Sequence, residues 1–154
     1  MGKFDDDSSQ SRLGRAGETL VSNFFVRKGM IVESSIDQYD STKDMLVDGK
    51  KVEVKTQVPF VYRNAFTVKE NQLTKCRNSD VVVFVSVPTK NKEHFSYGKV
   101  YSIRGCNMEY NRYTTKDGRN MILIPIKQDA MKTLFKMTDQ EQRVLQSYSV
   151  SDWN

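Results

Sequence analysis

Histidine is almost missing from this chain: His94 stands alone among 154 residues. Cysteine is scarce too, with Cys76 and Cys106 separated by 29 residues and neither in a CxxC or other metal-ligand spacing. A zinc site is thereby disfavoured, and both thiols are expected to stay reduced, as in a cytoplasm. No apolar run approaches the length of a membrane span. The opening Met1-Gly2-Lys3-Phe4-Asp5 lacks an apolar signal region, so the expectation is a cytoplasmic protein without a membrane partner. The eight glycines form neither a GxGxxG nor a Walker loop, which removes support for a nucleotide-binding fold. There is no internal repeat, low-complexity tract or linker.

What the chain does have is positive charge. Lys and Arg number 24 against 19 Asp and Glu, a net charge of +5. Asp5, Asp6 and Asp7 supply three of the negative charges, so the remainder is more basic still. Such an excess is compatible with a polyanionic partner such as nucleic acid, although many basic proteins bind none.

A length of 154 residues suits one domain with a core of its own. Residues 1–9 and 149–154 read as tails around a domain over 10–148. A helix is expected from a serine cap near Ser9 or Ser11, with Leu13, Gly17, Leu20, Val21 and Phe24 on one stripe and Lys28-Gly29 at its end. Glu18 lies on the border of that stripe, where a plain surface glutamate is also at home. A strand over 30–36 and a polar connection at 37–40 follow. Beyond the hairpin described next come a short strand at 65–68, a helix at 70–76, and the most apolar run, 81–87. That run reads as a central strand buried on both faces, which suits a partly parallel sheet. The C-terminal part is expected to be β-rich, with strands at 99–103 and 121–126 around a turn at 116–119. Two short helices are expected at 130–135 and 141–148, the second opened by Thr138 with Glu141 in the capping-box position.

The stretch 44–57 carries the chemistry. Asp48-Gly49 is the dipeptide of a type I′ turn, which predicts the pairs Val47–Lys50, Leu46–Lys51, Met45–Val52 and Asp44–Glu53. Alternation then places Lys51, Glu53, Lys55 and Gln57 on one face of the second strand and Val52, Val54 and Thr56 on the other. Two carboxylates opposite each other repel, and a divalent cation between them would relieve that. Oxygen ligands suit Mg²⁺ or Mn²⁺ rather than zinc. An exposed hairpin of mixed charges accounts for the same residues without a ligand.

Glu18 on the first helix, then Asp44, then Glu53-Val54-Lys55, in the order α-β-β-β-α-β, resembles the PD-(D/E)XK nuclease superfamily. Gly14-Arg15-Ala16-Gly17-Glu18 ahead of an apolar helix is similar to its Holliday junction resolvase-like branch. The resemblance covers roughly residues 12–88, and Lys43 stands where the family often has proline. It implies an α/β (α+β) fold: a restriction-endonuclease-like mixed β-sheet flanked by helices, here with a β-rich C-terminal elaboration. It implies a metal-dependent DNA endonuclease, site-specific, homing- or restriction-like, or junction-resolving, working as a homodimer or higher homo-oligomer. The alternative is a catalytically inactive DNA-binding or assembly protein on the same fold.

On that reading Asp44, Glu53 and the Val54 carbonyl hold the metal, with Glu18 as a further metal or water-shell ligand. Lys55 would orient or help deprotonate the attacking water, and Gln57 would contact phosphate or water. Arg12, Arg15, Lys51, Arg63 and Lys75 are candidates for DNA phosphate contacts. The tyrosines of 97–113, among Lys99, Arg104 and Arg112, would form a DNA-reading surface, a dimer contact or ordinary strand packing.

Overall fold

Asp48 and Gly49 turn the chain with φ of 50° and 81°, the left-handed conformation that a type I′ turn demands at both positions. Asp48 is held there twice over: its N–H donates to the Ile31 carbonyl, and its Oδ1 accepts from the Ile31 N–H, both at 2.8 Å. That occupation agrees with a turn role rather than a ligand role for Asp48. The computed structural model describes residues 9–36, 43–89 and 92–149; the expected connection at 37–40 and nearly all of the two expected tails lie outside them.

The elements run α1 (Ser9–Arg27), β1 (Val32–Ile36), β2 (Lys43–Val47), β3 (Lys50–Gln57), β4 (Ala65–Val68), α2 (Glu70–Asn78) and β5 (Val81–Ser86). Then come β6 (Lys99–Arg104), β7 (Asn111–Thr114), β8 (Asn120–Pro125), β9 (Lys132–Lys136) and α3 (Asp139–Ser149). The principal sheet has six strands in the order β1-β2-β3-β5-β6-β9. It is mixed: β3 and β5 are parallel, and the other neighbours are antiparallel. A parallel pair needs a crossover, and the segment containing β4 and α2 supplies it. Strands β4, β8 and β7 form a separate three-stranded antiparallel sheet.

Burial explains the layering. Val82 and Phe84 of β5 point to one face, Val83 and Val85 to the other, and all four are fully buried. On the first face they join Leu73 and Cys76 of α2, Phe66 and Val68 of β4, and Ile122 and Ile124 of β8. Phe66 stacks on Phe84 with centroids 4.6 Å apart, seaming the small sheet to the large one. On the second face Leu13, Leu20, Val21 and Phe25 of α1 pack with Val52, Val83, Val85 and Leu145 of α3. The molecule is thus a mixed α/β structure with the six-stranded sheet between an α1/α3 layer and an α2/small-sheet layer.

One expectation changes. Residues 130–135 were expected to be a helix, but Lys132–Lys136 is strand β9, paired with β6 at the edge of the principal sheet. A short apolar run does not distinguish helix from strand by periodicity. The open edge of β6 and the stacking of Phe135 on Phe24 of α1, 4.3 Å between centroids, decide it. The C-terminal part is β-rich as expected, and the structure adds how it attaches: β6 and β9 extend the principal sheet, and β4 of the N-terminal half joins β8 and β7. The capping box of α3 forms as expected, with Thr138 N–H donating to Glu141 Oε1 and Glu141 N–H to Thr138 Oγ1.

Candidate active site on strand β3

The pairs Val47–Lys50, Leu46–Lys51 and Met45–Val52 form in the expected register. Asp44 lies in β2 and pairs with Ser35 of β1 on its other side. The paired residues of β2 and β3 end at Met45–Val52, one short of the expected Asp44–Glu53 pair; the Asp44 side chain lies outside the described residues. On β3, Val52 packs into the α1 side of the sheet and Val54 against the same cluster, so Glu53, Lys55 and Gln57 face α2 and β4.

There Glu53 meets two cations. Lys55 Nζ is 3.1 Å from Glu53 Oε2, and Lys75 Nζ of α2 is 3.6 Å from Oε1. The Glu53 side chain is only 13% exposed, so this is a half-covered site rather than a solvated ion pair. Lys55 also donates to Gln72 Oε1 of α2 at 2.8 Å. Gln72 and Lys75 stand one turn apart on α2 and flank Leu73 and Cys76, whose side chains fill the core beneath. Burial pushes the Cys76 thiol up to about 11, against the neighbouring lysines, which lower it. Cys76, fully buried, walls the site from beneath.

Gln57 lies on the expected face, where its amide is already engaged. Its Nε2 donates to the Thr67 carbonyl and its Oε1 accepts from the Thr67 N–H, both at 2.7 Å. The amide completes the free edge of β4 as a neighbouring strand would, tying β4 to the end of β3. A phosphate contact would have to displace those two bonds.

Glu18 is exposed on α1. Its neighbour Gly17 packs against Thr56, whose side chain faces α1, so α1 covers the sheet face opposite Glu53 and Lys55. Arg12 and Arg15 are exposed on the same helix. Lys51 is anchored through its backbone N–H to Asp80 Oδ2 at 2.8 Å, at the start of β5. Arg63 lies over the Tyr113 ring, 4.8 Å from its centroid. Of the tyrosines in 97–113, Tyr101 is core, whereas Tyr110 and Tyr113 lie under arginines.

The site brings together Glu53, Lys55 and Lys75, and adds Gln72. Gln72 was legible in one respect: a helix that crosses from β3 to a parallel β5 must lie over both strands, so its polar residues beside Leu73 and Cys76 overhang β3. His94, assigned no role from the sequence, bonds through Nε2 to Asn64 Oδ1 at 2.9 Å and through Nδ1 to Ser96 Oγ at 2.7 Å. Among the described residues, no three of His, Cys, Asp and Glu converge to hold a metal ion. No protein-family model, no curated protein and no solved structure matches the chain.

Proposed function

We propose that the protein is a metal-dependent DNA endonuclease of the PD-(D/E)XK type, hydrolysing phosphodiester bonds at the Glu53–Lys55 face of β3. The observation that carries this reading is the largely covered Glu53 carboxylate with Lys55 at 3.1 Å and Lys75 at 3.6 Å, on the strand next to the one that carries Asp44. The order α1-β1-β2-β3-β4-α2-β5 departs from the implied α-β-β-β-α-β only by β4, which joins the second sheet, and β3 parallel to β5 is compatible with that core.

The donor set suits a hard cation: Glu53 offers two carboxylate oxygens, and Asp44 on the adjoining strand offers two more. These with the Val54 carbonyl would hold Mg²⁺ or Mn²⁺, with Glu18 at most a water-shell ligand. A bound ion would relieve charge on the phosphate and lower the pKa of a coordinated water. Lys55 does the remaining work: its ammonium, steadied by Gln72, orients the attacking water and offsets charge developing on the phosphoryl oxygens. With an ion present, the attraction of Lys55 and Lys75 to Glu53 weakens, and both become available to phosphate. Two copies acting together, one per strand, would cut duplex DNA in both strands.

The test is a cleavage assay on linear duplex, plasmid and four-way junction with Mg²⁺, Mn²⁺ or chelator. Cutting is expected with either ion and not with chelator. Lys55→Ala and Glu53→Ala should each lower the rate by at least ~10²-fold while DNA binding persists. Binding without cleavage of any substrate would sink the enzymatic reading and leave a DNA-binding or assembly protein.

A further inference from the structure

Strand β3 ends at Gln57, and three residues later the chain makes a tight, firmly held loop. Phe60 and Ala65 bridge each other, with Phe60 N–H donating to the Ala65 carbonyl at 2.8 Å and Ala65 N–H returning to Phe60 at 3.2 Å. Between them Val61–Arg63 forms a single 3-10 turn, closed by Asn64 in the left-handed conformation at φ 51°. The Asn64 carbonyl accepts from Ile126 N–H at 2.9 Å, and its side chain accepts from His94. A loop tied at so many points has little freedom left to lose on binding.

Yet this loop presents a large ring to solvent. Tyr62 is 78% exposed, the most exposed of the large hydrophobic side chains described. It stands beside Phe60, 6.3 Å between centroids, and Phe60 meets Tyr113 of β7 edge-on at 6.2 Å. The Arg63 guanidinium lies between the two tyrosines, 5.8 Å from the Tyr62 centroid and 4.8 Å from that of Tyr113. A rigid, outward ring flanked by a cation over aromatic faces is the chemistry that stacks an unpaired base and holds its phosphate. A duplex, with its bases already stacked, offers such a ring nothing to cover.

We infer that Tyr62, Arg63 and Tyr113 form a stacking platform for an unpaired nucleotide, so that the preferred DNA carries a single-stranded segment beside its duplex. This deepens the nuclease reading and rests on it for the position of the cut. Tyr62 follows Lys55 by seven residues, a separation of at most about 23 Å for extended chain. At about 3.4 Å per nucleotide, the unpaired segment lies within roughly seven nucleotides of the scissile bond.

The experiment measures fluorescence anisotropy in chelator, so that nothing is cut, on a blunt duplex and on the same duplex bearing a short oligothymidine tail. The wild type should bind the tailed DNA more tightly. Tyr62→Ala should lose about 5- to 100-fold on the tailed DNA with no change on the blunt one, while Tyr62→Phe keeps the preference. Equal affinities of the wild type for the two DNAs, or equal losses of Tyr62→Ala on both, would overturn the inference. So would a Tyr62→Ala variant that binds the tail normally but dissociates from itself in sedimentation, which would mark a protein interface. Failure of the wild type to cut with Mg²⁺ or Mn²⁺, with the tail preference intact, would overturn the nuclease reading and not the platform.

Discussion

At the residue scale, His94 ties two surface segments together through its ring. Ser96 N–H donates to His94 Nδ1 at 3.2 Å, so Nδ1 is an acceptor and the proton sits on Nε2, facing Asn64 Oδ1. A protonated ring would set Nδ1–H against the Ser96 N–H. Burial, and then Lys127, hold the His94 pKa below its ordinary value of 6.5. A histidine lowered in the folded state binds its proton first in the unfolded chain, so its contribution is complete above pH 6.5 and falls as pH drops through the folded pKa. The urea midpoint of the wild type should therefore drop more between pH 7.5 and pH 5.5 than that of His94→Gln. Equal drops would remove His94 from the account. The partners of Glu53, Lys55 and Lys75, come from a strand and from a helix, so the carboxylate depends on the position of α2 over β3.

At the scale of elements, the contact between α1 and β3 is set by one glycine. A Cβ at Gly17 would lie 2.8 Å from Thr56 Cβ and closer still to its hydroxyl, a distance real Cβ atoms do not adopt. Thr56 Oγ1 is itself buried without a hydrogen-bond partner. Gly17→Ala should cost about 1–3 kcal/mol by overpacking, and adding Thr56→Ala should recover part of it, because the hydroxyl and methyl collisions go while the Cβ contact at 2.8 Å remains. Chemical denaturation of the single and double variants checks this. Additive losses would show that α1 does not rest on Thr56.

At the scale of the whole molecule, the basic excess has a measurable consequence on the proposed function. If phosphates are held by exposed side chains of α1, affinity for DNA should fall linearly with the logarithm of salt, and each contact removed should reduce the slope by about one. Arg12→Ala with Arg15→Ala should thus flatten the slope by about two, uniformly across DNA sequences. An unchanged slope would place the DNA away from α1. The charge lies on a frame in which two cores, one on each face of the principal sheet, are joined through the doubly buried strand β5. That frame holds α2 and β4 against β3 and keeps Glu53 partly covered.

Much of this was open to reading because it is local. Asp48-Gly49 forces positive φ at two successive residues, and that turn by itself sets the register of β2 and β3 and the common face of Glu53, Lys55 and Gln57. The apolar run of β5, the stripe of α1 and the Thr138–Glu141 box likewise act over a few residues. Tertiary structure decided the rest, since it depends on partners distant in the chain. The Lys132–Lys136 segment became a strand because β6 had an open edge and Phe24 a free ring face. Gln57 became a clamp because β4, after leaving the principal sheet, brought the backbone of Thr67 to it. Gln72 and Lys75 joined Lys55 and Glu53 only because the crossover between parallel strands lays α2 over β3. Short-range geometry is encoded in neighbouring residues, whereas the company a side chain keeps across the sheet is determined by how the layers close.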